Sequence, residues 1–211
     1  MNAVAKLLSI SSEPLSGQSA SVNASDCGNF AALGHQLLAI LGEKNGFYAF
    51  ESALHVFPIA RYEGEMTLGR WNSFGLWRHE YGALAEDKLF FAENAFGDQF
   101  CLHKGTVCSF DAETAKTKSM GHTLEEWAQS LLLDYEYLTA YPMMHQWQLK
   151  MGVLPVGKRL IPKIPFVLGG EFSLQNLCSM DATSVMKSRG NLARQISGLP
   201  DGAQVEFRII E

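Results

Sequence analysis

Leu89-Phe90-Phe91-Ala92-Glu93-Asn94-Ala95-Phe96-Gly97-Asp98-Gln99-Phe100-Cys101-Leu102-His103 is the stretch on which the fold turns, and it runs on through Lys104-Gly105 to Thr106-Val107-Cys108-Ser109-Phe110-Asp111. Three short apolar runs are separated by Asn94, Gly97-Asp98 and Lys104-Gly105. These residues supply backbone freedom or local side-chain hydrogen bonds, and so mark turns. The segment reads as a meander of antiparallel strands. Its middle strand alternates, with Phe100 and Leu102 on one face and Cys101 and His103 on the other. No nucleophile motif, phosphate cradle or metal cage is visible in it.

Working outward, the 211 residues suit one large domain or a domain with an extension. Apolar residues make up 47%, with 13 Phe and 4 Trp, and only 18% are charged, which is enough apolar material for a sizeable core. A net charge of -5 argues against a nucleic-acid surface, because neutralising phosphates needs clustered Lys and Arg. The four cysteines, Cys27, Cys101, Cys108 and Cys178, form no CxxC pair. Zinc wants closely spaced ligand pairs, and a secreted disulfide scaffold wants more cysteines, so free thiols in a reducing compartment are expected. The patch Leu7-Leu8-Ser9-Ile10 is too short for a signal-peptide core, and no run approaches the length of a membrane span. The expectation is a soluble, cytoplasmic protein without a membrane partner.

Before the meander, Phe30, Leu33, Leu37, Leu38 and Leu41 make a helical stripe, with Gly42 at the position of a C-terminal cap. Asn45-Gly46 is a turn. Phe47-Tyr48-Ala49-Phe50 opens either a short helix or a buried strand, and Met66 to Trp77 fits no clean period. After the meander, Thr123 and Glu126 predict a capping box for a helix whose apolar face includes Leu124, Trp127 and Leu131. Val153 to Lys163 reads as a connector, Ile164 to Leu168 as a strand, Asp181 to Ile196 as a helix capped by Asp181, and Val205 to Ile209 as an alternating terminal strand.

The succession of a helix, Asn45-Gly46, Leu89-Phe90-Phe91-Ala92-Glu93, Gly97-Asp98-Gln99-Phe100, Gly105-Thr106-Val107 and the helix around Leu124-Glu125-Glu126-Trp127 resembles the SUKH superfamily. That superfamily holds fungal cell-wall synthesis regulators and many bacterial immunity proteins. The resemblance covers roughly residues 30 to 135. It implies an α+β fold, with a curved mixed or antiparallel sheet flanked by helices. It also implies a non-catalytic, protein-binding role, in bacteria the neutralisation of a delivered toxin. The chain then divides into an N-terminal arm (1–26), a core (27–140) and a C-terminal strand–helix–strand extension (141–211) packed on the same domain. An intracellular scaffold with another protein partner is the alternative, followed by a small hydrolase.

The chemistry-bearing residues offer no enzyme motif. His35, His55, His79, His103, His122 and His145 form no HxH or HExxH, there is no GxSxG elbow, and Gly157-Lys158-Arg159 and Gly169-Gly170 fit no phosphate loop and read as turns. No catalytic residue, metal or cofactor is expected. The partner surface is placed on the carboxylates Glu80, Glu86, Asp87, Glu93 and Asp98, part of an acidic run that starts at Glu63 and Glu65. A negative face would suit a basic toxin domain and speed its association. Trp71 and Trp77 either fill the core or act as exposed interface anchors.

Overall fold

A computed structural model describes residues 1–17, 30–59, 66–200 and 202–203. The meander is present and extends further than its core stretch. Six strands, β1 (Phe47–Ala49), β2 (Leu54–Val56), β3 (Lys88–Asn94), β4 (Gln99–His103), β5 (Thr106–Phe110) and β6 (Thr117–Gly121), form one sheet in which each pairs antiparallel with its chain neighbour. Lys104 and Gly105 both take positive φ (47° and 73°), the type I′ geometry that joins twisted strands in two residues. Asn45-Gly46 turns into β1. A Cβ on Gly46 would lie 2.7 Å from Pro58, so only glycine fits.

Helices cover both faces of the sheet. They are α1 (Ala3–Ile10), α2 (Ala31–Glu43), the short turns α3 (Leu68–Trp71) and α4 (His79–Tyr81), α5 (Leu124–Leu133), α6 (Tyr135–Thr139), α7 (Tyr141–Met151) and α8 (Ala182–Ile196). On one face Trp127 of α5 meets Phe91 and Phe100 edge-to-face at 5.1 and 5.8 Å. On the other, Phe90 packs against Trp77 and Phe110, each ring pair at 5.1 Å. Phe91, Phe100, Phe110, Leu124 and Trp127 are all buried, but only Phe91 and Phe100 meet Trp127 of the helix after the meander; Phe110 lies on the opposite face, against Phe90 and Tyr81. Thr123 caps α5 by accepting from the Glu126 amide, but the Glu126 carboxylate reaches the His122 amide (2.7 Å), one residue earlier than a capping box requires.

Two segments add to this picture. Residues 3–10 of the expected arm are helical, with Leu7 and Leu8 buried. The first amides of α1 are met by the Glu125 carboxylate of α5, an anion at a helix N-terminus. After α7, a second two-stranded antiparallel sheet pairs β7 (Lys158–Pro162) with β8 (Leu177–Asp181). Helix α8 then lies against α4 so closely that a Cβ on Gly190 would sit 2.7 Å from the Tyr81 ring.

The strand expected over Ile164–Leu168 is not there; Phe166–Leu168 is a single 3-10 turn. The real strand lies just upstream, in the stretch read as a connector, including Gly157-Lys158-Arg159. Its proline is tolerated because Pro162 is the last residue of a strand in a two-stranded sheet. Helix α7 begins Tyr141-Pro142, with proline in the first turn, where its missing N–H costs nothing. Gly42 lies inside α2 rather than after it. The strand expected at Val205–Ile209 lies outside the described residues.

Candidate functional site

The residues proposed for a partner surface do not form one surface. Trp71 and Trp77 are 1% and 0% exposed, stacked into an aromatic chain with Phe57, Phe90 and Tyr81. They are core residues, because the short helical turns between β2 and β3 fold across the sheet and press both indoles onto it. The anchor role therefore falls away. Glu93 is also corrected: it is buried, held by Arg159 of β7 at 2.7 Å and by His55 Nδ1 at 3.1 Å. Glu80 is partly exposed and already engaged by His79 (3.3 Å) and Arg194 (3.6 Å). Glu86 and Asp87 are open to solvent, as expected. Asp98 sits in the β3–β4 turn, 36% exposed, accepting from the Ala112 amide at 3.1 Å, with Arg189 at 3.9 Å. Glu63 and Glu65 lie outside the described residues.

Two buried arginines, neither singled out by sequence motifs, fasten the C-terminal segment to the sheet. Arg159 approaches Glu93, whose other oxygen lies 3.4 Å from the Gln99 amide nitrogen; Gln99 in turn accepts from the Trp71 indole at 2.8 Å. Burial alone would raise the Glu93 pKa, but Arg159 and the hydrogen bond from His55 outweigh it and hold the carboxyl below its ordinary range. Arg189 of α8 donates to the Phe96 carbonyl and lies 3.5 Å from Glu113. There desolvation wins, and the Asp98 and Glu113 carboxyls are pushed up despite the guanidinium. Arg189 was legible in one respect. It lies on the apolar stripe of α8, four residues after Val185 and three before Leu192, where a charge needs a buried partner.

Two concavities flank these clamps. A cleft of about 730 Å³ has His55, Glu93, Phe57 and Trp71 along its floor and Arg70, Lys158 and Asp181 among its polar lining. A smaller groove of about 380 Å³ runs between α6–α7 and the turns around Phe96 and Phe166. Its apolar lining includes Phe96, Tyr137, Met143, Phe166 and Phe172, and its carboxylates are Asp98, Asp111 and Glu136.

Cys101 and Cys108 face each other across β4 and β5 as free thiols. Burial raises both thiol pKa values, away from a nucleophilic thiolate. Among the described residues no group of three or more potential metal ligands clusters, and no helix is long and apolar enough to cross a membrane.

No family model matches the chain, and no curated protein matches it. Among solved structures it is similar to the crystal structure of Atu4351 from Agrobacterium tumefaciens, with a TM-score of 0.59 and 12% sequence identity. The match covers 87% of this chain and 86% of that one. At that identity the likeness is one of fold alone. The class established is an α+β protein built on a six-stranded antiparallel sheet flanked by helices.

Proposed function

We propose that this chain is a non-catalytic protein-binding domain, an immunity-type protein that neutralises a basic toxin domain in the cytoplasm. The observation that carries the reading is a run of exposed apolar side chains between Leu133 and Phe172. Leu133, Tyr137, Leu149, Met151, Val153 and Phe172 are each more than 60% exposed. Large exposed apolar residues on a well-packed protein mark candidate interfaces, and two of these, Tyr137 and Phe172, line one groove. The acidic balance of the chain, -5, favours a cationic partner. The resemblance to the SUKH superfamily supports the same reading.

The test is a pull-down with the tagged full chain followed by mass spectrometry, and then co-expression with any toxin domain that it captures. The expected result is restored growth and a complex that survives gel filtration. Unrelieved toxicity with no complex would overturn the proposal, and reproducible capture of a non-toxin partner would favour a scaffold instead. The small-hydrolase reading has one observation behind it: the His55–Glu93 contact on the floor of the larger cleft. It stays below the scaffold reading because Arg159 and Gln99 also engage that carboxylate, which lowers its basicity. Loss of protection in a His55→Gln variant that keeps its fold and its partner would favour it.

A further inference from the structure

The groove beside α6 joins apolar walls to carboxylates, two of which, Glu136 and Asp111, have no ion-pair partner among the described residues. Phe96, Phe166 and Phe172 form a ring cluster with centroids 5.3 to 5.5 Å apart, which fixes Phe172 although it is 63% exposed. Tyr137, 77% exposed, stands on another side. An exposed aromatic already held by its neighbours loses little freedom on binding, and Tyr and Phe are enriched where partners dock. Glu136 and Asp111 are exposed. No Lys, Arg or His lines the groove.

We infer that this groove is the docking site for a protein segment that carries an aromatic or large aliphatic side chain flanked by Lys or Arg. The inference rests on the protein-binding reading above and assigns its contact surface. The apolar anchor enters between Tyr137 and Phe172, and the flanking cations meet Glu136 and Asp111. Charge complementarity selects the occupant, since an acidic or neutral segment would bury the anchor but leave the carboxylates uncompensated. Glu86 and Asp87 flank the other end of β3 from the Asp98 turn and lie outside this contact.

The test uses the full chain and three fluorescent peptides: Lys-Arg-Leu-Trp-Arg-Lys, the same peptide with Trp and Leu replaced by Ser, and a version with Glu at every cationic position. Binding is followed by anisotropy and by amide chemical-shift changes. The first peptide should bind and shift amides around Tyr137, Phe172 and Asp111, and the other two should bind at least about tenfold more weakly, the loss of one good contact. Glu136→Lys and Tyr137→Ser, both on exposed positions, should each weaken the first peptide by a similar factor while the melting temperature holds. Equal binding of the Ser peptide, shifts elsewhere, or no shifts at all would overturn the inference. So would concentration-dependent self-association abolished by Tyr137→Ser, which would assign the groove to a second copy. Where a toxin partner is captured by co-expression, undiminished affinity in both variants would overturn the groove while leaving the immunity reading standing. Failure to capture any toxin tells against that reading alone, because the peptide arm judges the groove separately.

Discussion

Arg159 on β7 and Glu93 on β3 approach to 2.7 Å with both side chains 3% exposed, so the second, smaller sheet is fastened to the main one by a buried charge pair. The contact is coulombic more than directional. The Arg159 Nη2 that makes it is without a hydrogen bond of good geometry, and Nη1 donates instead to the Lys158 carbonyl at 2.8 Å. A pair of this kind gives modest net stability while intact, because desolvating both ions offsets most of their attraction. Breaking it on one side is another matter.

Arg159→Met alone strands a buried carboxylate and should cost about 3–5 kcal/mol in urea denaturation. Combining it with Glu93→Leu should recover much of that loss, since an apolar pair of similar size removes both desolvation penalties. Losses that simply add in the double variant would mean that the pair is not coupled.

The same carboxylate sets part of the response to acid. Glu93 has a folded-state pKa below its ordinary 4.5, so between the two values the unfolded chain binds more protons and stability rises with pH. Its contribution is full above pH 4.5 and is lost as pH falls through the folded value. Asp98 and Glu113 act in the opposite sense: their raised folded values favour the protonated native state, and that contribution fades as pH rises. Glu93→Gln should therefore flatten the acid limb of a stability profile below pH 4.5. An unchanged limb in equilibrium unfolding across that range would refute the assignment.

The main core predicts its own weak points. Trp127→Ala or Phe100→Ala removes the ring contact between α5 and the sheet and should cost about 3–5 kcal/mol. Trp127→Phe should cost much less, because the Trp127 indole nitrogen has no hydrogen-bond partner among the described residues. A loss under about 1 kcal/mol for either alanine variant would mean that the face repacks.

Turn chemistry made the centre of this fold legible. Gly97-Asp98 and Lys104-Gly105 sit between alternating runs, and the strands fall between them, although a bulge between Phe90 and Ala92 shifts the β3–β4 register. The Thr123 cap and the stripe through Leu124, Trp127 and Leu131 located α5 for the same reason. What stayed hidden depends on contacts distant in sequence. Trp71 looks the same whether it anchors a partner or stacks on Phe57, and only the path of the chain over the sheet decides. Glu93 read as one of a run of solvated acids because its partner, Arg159, lies 66 residues away. The groove is assembled from β3–β5 turns, α6 and the Phe166–Phe172 loop, which no local pattern brings together.

If the proposed complex with a basic toxin domain forms, the division between steering and docking gives a kinetic prediction for it. Glu86 and Asp87 are exposed and outside the groove, so their charge acts over distance, within a Debye length of about 8 Å at physiological ionic strength. Reversing both to Lys should slow association and weaken its salt dependence, while leaving the dissociation rate nearly unchanged. Glu80 is best left in place, since its reversal would repel Arg194 and confuse steering with folding. Tyr137→Ser should do the converse, speeding dissociation with little effect on association, because a short-range apolar anchor is felt only once the complex has formed. Stopped-flow association at low and high salt, paired with dissociation by competition, separates the two. If reversing Glu86 and Asp87 changed only dissociation, the acids would be in the interface rather than beside it. If neither salt nor reversal altered association, the acidic face would have no part in finding the partner.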